Sequence, residues 1–156
     1  MKPANASADR RYQALIQLLR TADTLWNSSR VFFAQWDLSP SQFNVLNIVA
    51  GEPDGVSQIE LGRMLIMHRS NVTGLIDRLE RRGLVQRKDA RGDRRAYRIV
   101  ATPAGGRLVR RIVPEYYRLA EEVWDGFPAS NAGRWEKDLR RLAVNAGRIA
   151  ASKDGP

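Results

Sequence analysis

Apolar side chains recur at helical spacing from near the start of the chain. Between about residues 8 and 36 they fall at Tyr12, Leu15, Ile16, Leu19, Ala22, Leu25, Trp26, Phe32, Phe33 and Trp36, which predicts one long helix. Most globular helices are shorter, so its stripe calls for a second subunit or several packing partners. Residues 38–43, LSPSQF, read as a new helix start. Ser39 can cap, Pro40 suits the first turn, and Gln42 completes a capping box. Phe43, Leu46, Val49 and Ala50 form its buried face, and the turn signal GEPDG at residues 51–55 ends it. A second capping box, SQIE at residues 57–60, opens a short helix carrying Ile59, Leu61, Met64 and Leu65, expected to end near Ile66 or Met67.

After a short turn, residues 70–83 read SNVTGLIDRLERRG. Val72, Leu75, Ile76 and Leu79 stand at i, i+3, i+4 and i+7, one face of a helix, and Gly83 stops it as a C-terminal cap. The period then changes. LVQRK (residues 84–88) and AYRIV (residues 96–100) are rich in β-branched and aromatic residues and predict two strands of a hairpin, with Gly92 in its loop. Thr102–Pro103 caps and opens a helix running to about Asp125. Its apolar set is Ile112, Tyr116, Leu119, Ala120, Val123 and Trp124, and Pro114 inside it predicts a kink or a break. GFPAS (residues 126–130) interrupts the chain. A last helix, about residues 131–151, is expected to turn Trp135, Leu139, Leu142, Ala146 and Ile149 inward.

Two helices joined by a short turn and followed by a hairpin make a winged helix-turn-helix. The expected fold is therefore mainly α with a small β-hairpin wing. Charge changes what this unit can be for. The chain carries 26 Lys+Arg against 17 Asp+Glu, a net charge of +9. Such a surplus favours a polyanion, nucleic acid first and an anionic membrane surface second. It also concentrates in one place. Residues 89–100, DARGDRRAYRIV, hold Arg91, Arg94, Arg95 and Arg98, with Arg87 and Lys88 just upstream. A helix can enter the major groove of DNA. A hairpin beside it then lies over the backbone, where its tip needs cations for phosphates or for the narrow, negative minor groove. A solvated charge cluster is the plainer reading of the same residues.

Other chemistry is sparse. There is no cysteine, hence no disulfide, thiolate metal site or thiol switch. His68 is the one histidine, and a metal site needs several ligands. No nucleophile–base pair, glycine-rich phosphate loop or zinc signature points to an enzyme, and no cofactor is implied. The N-terminus lacks the apolar core of a signal peptide. No apolar run approaches the ~18 residues of a membrane span. A cytoplasmic protein without a membrane partner is expected.

The motifs also resemble those of the MarR family of bacterial transcriptional regulators. The resemblance lies in the wing Asp89-Ala-Arg91-Gly-Asp93-Arg94-Arg95, in NVTGLIDRLERRGLV before it, in LSPSQFNVL, in SQIELGRML and in TPAG after the wing. It covers about residues 38–110 by motif, and the flanking helices by placement. It implies a partition into an N-terminal dimerisation helix (1–37), a winged helix-turn-helix DNA-binding domain (38–101) and C-terminal dimerisation helices (102–156). It implies a homodimer reading a pseudo-palindromic operator in double-stranded DNA, and a repressor relieved by a small, aromatic effector. A ligand-independent or architectural DNA-binding protein is the alternative.

On that reading Ser70, Asn71 and Thr73 reach base edges, asparagine being suited to adenine and the threonine methyl to thymine. Ser70 or Asn71 could equally serve only as a cap. Arg78 is a phosphate contact by resemblance, while Arg81 could simply pair with Asp77 one turn away. Arg91, Arg94 and Arg95 form the wing's DNA contact, and Asp89 and Asp93 hold the loop by pairing with neighbouring arginines. Arg87, Lys88 and Arg98 add non-specific phosphate attraction. Gly74 departs from the larger or basic residue that resembling sequences often carry there. Trp26, Phe33 and Trp36 are candidates for lining an effector pocket, and as core aromatics they would need no such role.

Overall fold

A computed structural model describes residues 6–65, 72–90 and 93–153. Among these residues the chain forms six helices and one two-stranded antiparallel sheet: α1 (Ala6–Ala34), α2 (Pro40–Gly51), α3 (Gln58–Met64), α4 (Val72–Arg81), β1 (Val85–Ala90), β2 (Asp93–Ala101), α5 (Pro103–Val123) and α6 (Ala129–Lys153). They fall into two compact units, residues 1–111 and 112–156.

Both capping boxes form as the sequence predicts. Ser39 Oγ accepts from Gln42 N at 3.1 Å while Gln42 Oε1 accepts from Ser39 N at 2.8 Å. Ser57 and Glu60 repeat the exchange at the start of α3. Such a cap stabilises its helix by about 1 kcal/mol. Thr102 does the same for α5, its Oγ1 accepting from Gly105 N at 3.1 Å. Gly83 ends α4 with φ 66°, and Leu84 N donates back to Leu79 O at 3.0 Å. That is the left-handed cap a glycine permits.

The Glu60 carboxylate is held below its ordinary value of 4.5, chiefly by the hydrogen bonds from the Ser57 backbone and hydroxyl. A lowered carboxylate stabilises the fold above its ordinary pKa, and that contribution is lost as the pH falls through the lowered one. Glu60→Gln keeps the acceptor without the charge. The melting-temperature gap between wild type and Glu60→Gln is expected to shrink as the pH is lowered from 7 to below 4.5, read by thermal melts. A gap that stays constant would remove the charge from the cap.

The core of the first unit lies where α2, α3 and α4 meet the base of the hairpin. Val45, Leu46, Leu61, Ile76, Leu79, Val85 and Ile99 are fully or almost fully buried there. Phe33, near the end of α1, stacks on Phe43 of α2 with ring centroids 4.3 Å apart. The strands pair from Val85↔Ala101 to Asp89↔Tyr97, and the register shifts after Asp89. Both run further into charged sequence than their propensity predicts. One unforeseen contact anchors the hairpin. Val56 and Ile99 exchange backbone hydrogen bonds at 2.9 and 2.8 Å, so the α2–α3 connection pairs with β2 as a single bridge.

Three expectations are corrected. α3 ends at Met64 rather than near residues 66–67, because Leu65 turns extended and is buried. Of the kink or break expected at Pro114, the break does not occur, since α5 runs on through it. The proline and Arg110, whose carbonyl loses its partner, are both exposed, where water can take that carbonyl. The apolar residues of α6 do not turn inward within their own unit: Trp135 is 48% and Leu142 52% exposed. The unit of residues 112–156 holds only α6 and the end of α5, and two helices cannot cover each other's full circumference. Within that unit Trp124, Phe127 and Trp135 meet edge-to-face at centroid distances of 5.7–6.0 Å. Along α1, Tyr12, Leu15, Leu19 and Leu25 are likewise exposed.

Candidate nucleic-acid interface

The inner face of α4 is fixed by burial of Val72, Leu75, Ile76 and Leu79. Geometry then leaves Thr73, Arg78 and Arg81 exposed. Thr73 Oγ1 accepts a hydrogen bond from Gln58 Nε2 of α3 at 2.6 Å. Gln58 Oε1 in turn accepts from the Tyr97 hydroxyl of β2 at 3.3 Å. Helix α4, helix α3 and the hairpin are thus joined through one glutamine, a residue that no spacing in the sequence singles out. Gly74 is half-buried within α4.

Two of the cations read as phosphate contacts have other partners. Arg87 on β1 pairs with Asp77 and Glu80 of α4, and its guanidinium lies 5.5 Å from the Tyr97 ring centroid. Its pKa is raised, first by the hydrogen bond to Asp77. Arg98 on β2 donates to the carbonyls of Asp54 and Gly55 at 2.9 and 2.6 Å and lies 3.7 Å from Glu60. Asp77 therefore pairs with Arg87, while Arg81 Nε donates to the Asp77 backbone carbonyl at 3.3 Å. These two arginines fix the hairpin against α4 and the α2–α3 turn. The half-exposed pairs contribute little stability each, about 0–1 kcal/mol. Their effect is to set where the wing points. Lys88 is exposed, with no partner among the described residues.

Arg94 and Arg95 lie on β2 between Asp93, which pairs with Ala90, and Tyr97, which pairs with Asp89, with side chains outside the described set. Ser70, Asn71, Arg91 and His68 lie outside the described residues, as does the side chain of Asp93. Asp89 is exposed and pairs across the sheet with Tyr97.

Arg82, just beyond α4, closes the opposite side. It donates to the carbonyls of Asp37 and Trp36, where Asp37 takes a left-handed φ of 52° between α1 and α2. Trp36 is half-buried under the Arg111 guanidinium, 4.8 Å from its ring, and its buried Nε1–H has no hydrogen-bond partner among the described residues. Trp26 is half-buried. Two shallow clefts border this region. One is lined by Arg30, Ala34, Asp37, Leu38, Ser39, Pro40 and Gln42, the other by Asp37, Gln42, Arg78, Arg81 and Arg82. Trp26, Phe33 and Trp36 line neither.

The arrangement is a helix with a polar exposed face beside a hairpin rich in arginine. The MarR family model matches residues 36–96, the span from the end of α1 into β2. The regulator PecS of Dickeya dadantii (strain 3937) is 30% identical over 119 residues, 75% of this chain and 68% of PecS. The chain belongs to the MarR family. A second relative, the HTH-type transcriptional regulator PapX of Escherichia coli, is 28% identical over 86% of this chain and 84% of its own.

MarR-type solved structures share the fold. The complex of S. aureus MepR with DNA superposes with a TM-score of 0.73 at 18% identity, covering 86% of this chain and 97% of that one. Rhodococcus jostii RHA1 CouR, bound to p-coumaroyl-CoA, gives 0.71 at 24% identity, over 81% and 88%. The relatives PecS and PapX are regulators of transcription, not enzymes. Among the described residues no helix is long and apolar enough to cross a membrane.

Proposed function

We propose that the protein is a homodimeric, sequence-specific DNA-binding repressor that is released from its operator by a small aromatic ligand. The observation that carries the reading is the juxtaposition of α4's exposed Thr73 and Arg78 with the hairpin that bears Arg94 and Arg95. A helix of that size fits the major groove while the arginine-rich hairpin meets the adjacent backbone or minor groove. Ser70, Asn71 and Thr73 read base edges, Arg78 and Arg91 hold phosphates, and Asp89 and Asp93 brace the wing. The partition into residues 1–37, 38–101 and 102–156 follows from this division of labour.

Dimerisation is supported by the apolar stripes that α1 and α6 leave exposed. A closed twofold dimer presents its two winged helices to half-sites about one helical turn apart, so the operator is a pseudo-palindrome. Release by a ligand requires that the ligand bind more tightly to a dimer whose helices are wrongly spaced. MepR bound to DNA and CouR bound to p-coumaroyl-CoA lend both halves of the reading their precedent. A second reading, ligand-independent binding, is favoured by Phe33, which is buried in the core and stacked on Phe43.

The test is binding to a duplex from the intergenic region upstream of the protein's own gene, against a scrambled duplex, at two salt concentrations. Preference for the native duplex at near-physiological salt is expected. For about 6–10 phosphate contacts, affinity should fall about 10³–10⁵-fold between about 50 and 200 mM salt. Equal, salt-fragile binding to both duplexes would favour the architectural reading. No binding at low salt would defeat both.

A further inference from the structure

We infer that Gln58, though it lies on α3 and not on α4, is a specificity-setting positioning residue: it fixes Thr73 as a hydrogen-bond donor toward DNA. The inference rests on the proposed reading in which Thr73 faces a base edge. A threonine hydroxyl has one proton to donate and two lone pairs to accept with, and it rotates freely. Left alone it reads either kind of base edge and discriminates poorly. Here it is not alone. Gln58 Nε2 donates to Thr73 Oγ1 at 2.6 Å.

An amide could in principle present its oxygen instead, which would leave the hydroxyl facing the other way. The orientation observed is the one in which the hairpin can donate to that oxygen. Gln58 Oε1 is occupied by the Tyr97 hydroxyl at 3.3 Å, and a tyrosine O–H is a donor to a carbonyl oxygen. Tyr97 is itself held in place across from Asp89 and beside the Arg87 guanidinium. In this orientation the bonds run in one direction: Tyr97 donates to Gln58, Gln58 donates to Thr73, and Thr73 has its proton rather than that lone pair to offer outward. On a major-groove edge the acceptors are guanine N7 and O6, adenine N7 and thymine O4, while the amino groups of cytosine and adenine are donors. Thr73 should select an acceptor at the position it meets.

The test is a chemical inversion. Ionised glutamate only accepts, so in Gln58→Glu the Thr73 proton must turn inward and its lone pairs outward. Gln58→Leu removes the constraint altogether. Binding of the full-length wild type, Gln58→Glu, Gln58→Leu, Thr73→Val and the double variant Gln58→Glu/Thr73→Val would be measured on an operator set with every single-base substitution. Folding of each is checked by its melting curve. Affinities are read relative to each variant's own best operator, which removes the general weakening that an added carboxylate causes near phosphates.

One neutral hydrogen bond corresponds to about three- to tenfold in affinity. Wild type should prefer an acceptor edge by about that factor at one position per half-site, and Thr73→Val should lose the preference there. Gln58→Glu should reverse it toward cytosine or the adenine amino group, Gln58→Leu should flatten it, and the double variant should match Thr73→Val. If Thr73→Val loses the preference but neither Gln58 variant alters it, the inference is wrong and the regulator reading stands. If Thr73→Val alters preference at no base, the inference is also wrong. If wild type does not distinguish any operator from a scrambled duplex, the regulator reading fails and takes the inference with it.

Discussion

Alanine at both Arg94 and Arg95 is expected to lower operator affinity by about 10²–10⁴-fold without altering the fold. A hydrogen bond from a charged donor contributes about 1.5–3 kcal/mol. A homodimer loses at least one such contact in each subunit, so about 3–6 kcal/mol, and about 1.4 kcal/mol is tenfold in affinity. A second signature separates lost phosphate contacts from general damage. The slope of log affinity against log salt should flatten by about 0.9 for each phosphate contact removed. Gel-shift or anisotropy titrations across salt, with a melting curve for each protein, would measure both. A double variant that binds like wild type would leave the arginines as a solvated cluster and remove the wing from the interface.

The weight placed on those two residues follows from what the structure does with their neighbours. In the sequence Arg87, Lys88, Arg91, Arg94, Arg95 and Arg98 look alike, six cations on one hairpin. Folding makes them unlike. Arg87 and Arg98 are held by carboxylates and carbonyls of α4, α3 and the α2–α3 turn, which hold the wing in place. Nothing local distinguishes Arg87 from Lys88: the difference is a partner ten residues back, at Asp77, brought near by the turn at Gly83. The Val56–Ile99 bridge was invisible for the same reason, since one residue pair has no period to detect. So was Gln58, whose partners lie 15 and 39 residues away.

What is local was legible. Both serine capping boxes, the Thr102 cap, the glycine stop of α4 and that helix's apolar face depend on residues within a turn or two of each other, and each forms where the pattern placed it. The stripe of α6 marks the limit of such a reading from the other side. Its period was read correctly, but the period does not say which surface covers it, and no surface of its own unit covers it fully.

Replacing Gly105 by alanine is expected to destabilise the protein by about 2–4 kcal/mol. Gly105 is the third residue of α5, and a Cβ built there would lie 2.1 Å from Leu84 O, 3.0 Å from Leu84 C and 3.1 Å from Leu46 Cδ1. The first two are backbone atoms, which cannot rotate aside. Leu84 O also accepts from Thr102 N at 3.1 Å and from Thr102 Oγ1 at 3.2 Å. A methyl group must therefore push the start of α5 from the α4–β1 turn and stretch those bonds. Overpacking costs about 1–3 kcal/mol, and weakened hydrogen bonds add about 1 kcal/mol each. Against this, alanine gains up to about 1 kcal/mol of helix propensity over glycine. The net loss corresponds to a melting temperature lower by about 5–15 °C in a chain of this size. Gly133→Ala in α6 is the control, because nothing lies within 4 Å of its Cβ position. It should melt at or slightly above wild type. A Gly105→Ala variant that melts within a degree of wild type would mean that α5 does not seat on Leu84. The hairpin would then lose one of the supports that aim its arginines, since Thr102 follows β2 directly.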